Sequence, residues 1–421
     1  MCKSRFAPWR RHSCLPRRHS CRGAFLLLLF PSLALTQMAP MDPSVMSLMG
    51  QASGTSSNPA ASSPSMSMGH LGAWTTMLMG TAFVSDIQQS GSRGGDKLYS
   101  TNWFMASATH KIGSRDAFQA VLMLSLEPAT ITDRRYPLLF QTGETAYGKE
   151  LVDAQHPHNF VMAAGLQYMH QFSGATFLEL YAAPVGDPAL GPVAFPHRAS
   201  AAEIPQAPIS HHLQDSTHIS DDVLTAGIAH RQFRLEGSAF HGAEPGENRW
   251  IIQAGSIDSY SARLWFFPSS NWAAQVSAGR LAHPEALEPG DQTRVTASLA
   301  YSRPMHGATW SSTAIWGRTH STATRHNLNS YLLESVLPLT HDNLLTGRFE
   351  LVDKDDLFAT AGPSYRIAAY TGGYTRDLAL FRAIETGIGA NFSVYAIPSA
   401  IQPYYGRRPV GANLFLRVRL K

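Results

Sequence analysis

The sequence predicts an all-β protein, a transmembrane antiparallel β-barrel of about sixteen strands, within the range 14–18. Three observations predict it. Polar and apolar residues alternate with a period of two in segment after segment. The links between those segments alternate between short and long. And no stretch after residue 36 offers the run of about 18 apolar residues that a membrane-crossing helix needs.

Composition agrees. Only 15% of the 421 residues are charged and 44% are hydrophobic, yet mean hydropathy is close to neutral. The two kinds of residue must therefore be finely interleaved. The last strand shows how. Leu414, Leu416, Val418 and Leu420 take one face, and Phe415, Arg417, Arg419 and Lys421 the other. Phe233, Leu235, Gly237 and Ala239 oppose Arg234, Glu236 and Ser238 in the same way. A strand of this kind separates two different surroundings.

The candidate strands are 72–84, 98–111, 116–127, 161–172, 175–183, 222–231, 233–241, 258–267, 271–281, 292–303, 307–318, 327–338, 342–352, 364–376, 378–395 and 409–420. Every second link is long, with the longest at 128–160 and 184–221. Short periplasmic turns, long outer loops and an even strand count are features of outer-membrane barrels; a β-sandwich has no reason to keep that parity. Trp103, Trp265, Trp272, Trp310 and Trp316 fall near strand ends, as girdle residues would.

The first 36 residues read as a signal peptide: five arginines, Arg10 to Arg22, ahead of the apolar run Ala24 to Leu35. They hold seven Lys/Arg and no Asp/Glu, so the remaining chain has 27 basic and 30 acidic residues, net −3. Nucleic-acid binding loses its support. Cys2, Cys14 and Cys21 all lie in this segment, so thiolate metal sites and thiol catalysis are excluded from the rest. Residues 37–70 are rich in Met, Ser and Pro and read as a disordered periplasmic extension. The barrel then occupies 71–421.

Two groups of residues carry candidate chemistry. Met66, Met68 and His70 close the extension with two thioethers and an imidazole, a donor set that fits copper. The alternative is a linker with incidental methionine. The two longest loops hold His156, His158, His197, His211, His212 and His218, interspersed with Asp153, Glu203, Asp215, Asp221 and Asp222. Imidazole and carboxylate suit Cu(II), Zn, Ni or Fe. Pro157 keeps its neighbours extended and aims His156 and His158 apart. A site therefore needs both loops: His156 or His158 with His211, His212 or His218. The alternative is a polar constriction without a fixed metal.

Arg234, Glu236, Arg263, Arg294, Arg348, Glu350, Arg417 and Arg419 are expected to point inward, lining and bracing the lumen. Either a narrow channel or a plugged barrel follows from them. Ser216 beside Asp215 and three histidines raises a hydrolase alternative, but no nucleophile elbow, HExxH or phosphate loop is present and no enzyme is expected.

The loop phrases "DAQHPHNF", "PVGDPALGPVAFPHRAS" and "HHLQDSTHIS", set among these strands, make the chain resemble bacterial outer-membrane β-barrel proteins of the porin-like kind. The Met/His-rich extension is loosely similar to that of copper-resistance B outer-membrane proteins. The resemblance implies location in the cell outer membrane, contact with its lipid, insertion by the barrel assembly machinery, and passage of a small solute or metal ion. It implies no required cofactor, with copper the metal to consider. A non-conducting barrel that binds metal or a protein partner is the alternative.

Overall fold

In this computed structural model the described residues are 42–358 and 363–421. The signal segment, Met38 and Met41 lie outside them. Sixteen antiparallel strands form one sheet that closes on itself, and a short seventeenth, Ser67–Leu71, pairs with Trp74–Leu78. In chain order β1–β4 are Trp74–Gln89, Asp96–Ile112, Asp116–Leu124 and Val161–Ser173, and β5–β8 are Thr176–Gly186, Ser220–His230, Phe233–Phe240 and Ser259–Ser269. Next, β9–β12 are Trp272–Leu281, Gln292–Met305, Ala308–Ser321 and Asn327–Thr340, and β13–β16 are Asn343–Lys354, Tyr365–Leu378, Ile384–Ala396 and Val410–Leu420. Each pairs with the next, and β16 returns to β1 in the register Gly411↔Gln89 to Arg419↔Thr81. Every candidate segment corresponds to one observed strand. The largest differences are at β1, which runs on to Gln89, and at β15, which begins at Ile384 rather than directly after β14.

The two barrel ends differ as the link lengths predict. Turns such as His306–Gly307, both with positive φ, join β10 to β11 in two residues. That is the hairpin turn whose twist matches the strands, and glycine takes its second position at no steric cost. The other end carries all the long loops.

Burial follows the alternation. On β16, Leu414, Leu416 and Val418 are exposed outward, while Phe415 and Arg417 are buried inside. The eight charged residues expected inside do point inward, and all but the half-buried Arg419 are buried. They meet protein rather than open water. Arg263 lies directly across from Glu236 and donates Nε to its Oε2 at 2.9 Å. Arg263 Nη1 also reaches Gly191 O at 3.1 Å, and Arg348 Nη1 reaches Gln206 O at 3.1 Å. Glu350 Oε1 accepts from Ser210 N and Oγ, and Arg417 pairs with Glu203 and Asp377. The long loop 187–219 is thus folded into the barrel and tied to its wall.

Two expectations change. Residues 42–70 are not a disordered extension. Pro43–Met49 is a short helix capped by Asp42, and residues 50–66 continue inside the short-turn end. Gln51 donates to Glu179, Thr55 Oγ1 accepts from Arg263 Nη2 at 3.0 Å, and Ala61 N donates to Ser270 O at 2.7 Å. The barrel interior supplies the apolar surface that this segment's own sequence lacks. Two tryptophans also leave the girdle reading. Trp265 faces inward and donates Nε1 to Glu236 Oε2 at 2.9 Å, and Trp103 packs on the His197 ring.

Candidate functional site

Two long loops build the histidine site. The 125–160 loop opens with a short helix, Glu127–Thr130, then a hairpin of Tyr136–Ala146 and Lys149–Gln155. "HPHNF" follows the hairpin and leads back into β4. The 187–219 loop carries four 3-10 turns, the last two being His211–Leu213 and Ser216–His218. Consecutive turns of this kind hold His211, His212 and His218 against the returning His156 and His158.

The five loop histidines expected at the site come together, and all are buried. Ring centroids are 5.7 Å apart for His156 and His212, 5.1 Å for His211 and His212, and 6.5 Å for His156 and His211. The line continues at 5.3 Å from His211 to His218 and 5.3 Å from His218 to His158. One ring nitrogen each from His156, His211 and His212 lie within 4.8 Å of one another. His156 and His158 do take different ends of the line, as the extended dipeptide requires.

One carboxylate hydrogen-bonds to a ring, and two more lie beside rings without hydrogen-bond geometry. His211 Nδ1 lies 2.7 Å from Asp215 Oδ1, His158 Nδ1 2.9 Å from Glu127 Oε2, and His156 Nε2 3.1 Å from Glu144 Oε1. His218 Nδ1 meets Asp215 O at 2.8 Å. Of these carboxylates only Asp215 is suggested by spacing, four residues after His211. Glu127 and Glu144 lie in the 125–160 loop and Glu244 and Glu285 in two others, and none carries a local signal. Gly143 is a further unforeseen member: a Cβ there would sit 2.4 Å from the His212 ring, and its φ is +106°.

Burial sets the charge state. It pushes His211 and His212 down to about 4, with Asp215 partly offsetting the shift at His211. His156 and His218 are held well below the usual histidine value by burial and by neighbouring histidines. Burial raises Asp215, but His211 and Arg198 outweigh it and hold this carboxyl well below its usual range. His156, His211, His212 and His218 are therefore neutral near pH 7, the form that ligates metal. Among the described residues His156 Nε2, His218 Nε2 and both nitrogens of His158 and of His212 have no hydrogen-bond partner. Buried polar atoms of this kind are costly without a partner, and an ion is one explanation.

The histidines stand between two cavities. One of about 1230 Å³ opens at the short-turn end and reaches His158, His197 and Phe195. The other, about 70 Å³, lies among the long loops and is lined by His212, Glu144, Glu285 and Glu288. His156, His211 and His218 line neither. Burial and the neighbouring Glu244 push Glu285 up to about 8.

Met66, Met68 and His70 are not brought together. Met66 and Met68 pack partly buried among Met49, Met77, Met105, Met123 and Met162, while His70 is exposed on a short strand, Ser67–Leu71. Ser216, the hydrolase candidate, accepts from Arg294 Nη1 at 2.9 Å, and no histidine hydrogen-bonds to it.

No protein-family model matches the chain, and no curated protein matches it. Solved structures do. The anion-selective porin from Comamonas acidovorans superposes with a TM-score of 0.53 at 12% identity, over 82% of this chain and 99% of the porin. Salmonella typhi OmpF, solved in complex with daunomycin, gives 0.52 at 8% identity, over 83% and 100%. At these identities the likeness is one of fold: the chain is a closed sixteen-strand antiparallel barrel of the outer-membrane porin type.

Proposed function

We propose that the chain is an outer-membrane transport barrel whose passage narrows at a metal-binding histidine constellation. His156, His211 and His212 are its ligands, with His158 and His218 extending the line inward. Exposed aliphatic side chains around the wall support membrane insertion. The observation that carries the reading is the line of buried histidines between the two cavities. Three imidazoles in reach of one ion suit Zn²⁺ or Cu²⁺, and Asp215 behind His211 fixes the orientation of that ring. Met46, Met49, Met66, Met79 and Met105 line the larger cavity and add soft donors, which makes copper the second metal to test.

Single-channel recording in planar bilayers tests this. The expected result is a small conductance that micromolar Zn²⁺ or Cu²⁺ reduces, with the block relieved in His156→Ala, His211→Ala protein. A conductance indifferent to both ions would reject the metal-binding passage. The second reading, a non-conducting barrel that holds metal, draws on how fully loop 187–219 and residues 42–66 occupy the lumen. Stoichiometric metal without conductance selects it.

A further inference from the structure

Beyond His212 the mouth turns acidic, and two carboxylates converge on the same ring. Glu244 belongs to the loop between β7 and β8, and Glu285 to the loop between β9 and β10. One ligand atom each from His212, Glu244 and Glu285 lie within 4.8 Å of one another. Glu244 Oε1 is 3.4 Å from His212 Nδ1 and makes no hydrogen bond, nor does Oε2. Ser216, whose Oγ accepts from Arg294, is the hydroxyl beside this carboxylate. The Glu244 side chain is only 7% exposed and that of His212 9%. Arg294 and Lys354 face the same group. Arg294 donates Nη1 to Ser216 Oγ, and Lys354 donates Nζ to Thr142 Oγ1 at 2.8 Å. Each cation has a hydroxyl partner, Arg294 keeps its Nε without one, and the Glu244 carboxylate and the His212 imidazole face one another.

We infer that His212, Glu244 and Glu285 form a second divalent transition-metal site, at the mouth, which shares His212 with the three-histidine site. The inference rests on the reading that the histidine constellation takes a metal, and it makes that ion the cargo. The chemistry of the two donor sets differs in a useful way. One imidazole and two carboxylates form a harder set than three imidazoles, and this one is reached from the cavity among the loops. It suits an ion arriving partly hydrated. Three buried imidazoles suit the same ion once dehydrated. A neutral imidazole offers one lone pair, so His212 serves one position at a time. Its tautomer then selects between them. An alkaline-earth ion would gain little from the imidazoles, so the cargo class is a borderline divalent ion such as Zn²⁺, Co²⁺, Ni²⁺ or Cu²⁺.

The test is Zn²⁺ calorimetry on the whole refolded barrel, with Co²⁺ absorption as a second readout of ligand type. The His156→Ala, His211→Ala protein should still bind one Zn²⁺, more weakly than wild type. Adding Glu244→Gln and Glu285→Gln should abolish that binding. Glu244→Gln, Glu285→Gln alone should keep the tight, histidine-rich Co²⁺ spectrum. If the double histidine variant already binds nothing, the mouth site is overturned and the three-histidine site stands. If wild type binds no metal, both readings fall. Heat-modifiable mobility in gels reports folding, and Glu285→Gln alone, close to isosteric, tests the mouth site where the fourfold variant does not fold. In the double histidine background it should weaken Zn²⁺ binding by at least tenfold; an unchanged affinity overturns the site.

Discussion

His211 Nδ1 stands 2.7 Å from Asp215 Oδ1, and the other oxygen of the same carboxylate accepts from Arg198 Nη1 at 2.9 Å and from Phe195 N at 3.0 Å. One buried carboxylate therefore orients a ligand imidazole and anchors the loop that carries it. With Nδ1–H facing Asp215, the lone pair of His211 is on Nε2. Asp215→Asn keeps the size but puts an amide hydrogen opposite either His211 or Arg198. The expected outcome is a metal affinity lower by about 10–100-fold, the usual cost of losing a carboxylate behind a histidine ligand. Calorimetry with Zn²⁺ on refolded protein checks it. An unchanged affinity would mean that Asp215 serves only the loop.

Acid should act on the apo protein through the same histidine. His211 titrates near 4 in the fold against about 6.5 unfolded. Between these values the unfolded chain binds the extra proton, so stability rises with pH across that window and is flat above it. Other groups titrate there too, and Glu285, raised to about 8, pulls the opposite way. Comparison with His211→Gln isolates the one ring. The stability of wild type relative to this variant should grow from pH 4 to 6.5 by on the order of 3 kcal/mol at most. Thermal melts in detergent measure it. A difference that is constant with pH would mean the ring is not held neutral by burial.

The plug formed by residues 42–66 is separable from the barrel wall, because β1 and β16 close the sheet without it. Deleting those residues should leave a heat-resistant folded band and raise single-channel conductance. The wall residues it covers, Glu179, Arg234 and Arg263, already form a network with Glu236, so water can replace the plug at modest cost. A deletion that conducts no better than wild type would show that loop 187–219 alone sets the passage.

What could be read in advance follows from which residues meet solvent of different kinds. The strands were legible because each has two surroundings, and Leu416 beside Arg417 states both. The same period contained the answer for Trp265, which shares its parity with Arg263 and so had to face inward. Nearness to a strand end misled there. The meeting of His156 with His211 and His212 was legible only as a requirement, since each loop alone offers too few ligands. Glu244 and Glu285 were not legible at all, because nothing in their own loops marks them and only the folded mouth brings them to His212. The plug was misread because Ser, Pro and Met give it no periodicity. A lumen needs none: it presents an apolar wall already made, on which Val45, Leu48 and Met49 are buried.

The final prediction contrasts two neighbours on β16. Leu416 is 52% exposed on the outer face and lies between Val84 and Ile388 in the sheet. A charge there meets lipid in the proposed membrane setting, at a cost of about 2–4 kcal/mol near the midplane. Arg417 is buried and pairs with Glu203 and Asp377. Its removal leaves Glu203 with Arg419 at 3.1 Å, so the charge is not abandoned. Arg417→Ala should therefore loosen, but not free, the Glu203 end of loop 187–219 without opening the barrel. Leu416→Arg should lower the fraction that refolds into the heat-resistant band, whereas Arg417→Ala should keep that band and raise conductance. Equal loss of the folded band in the two variants would contradict the division of β16 into a lipid face and a loop-binding face.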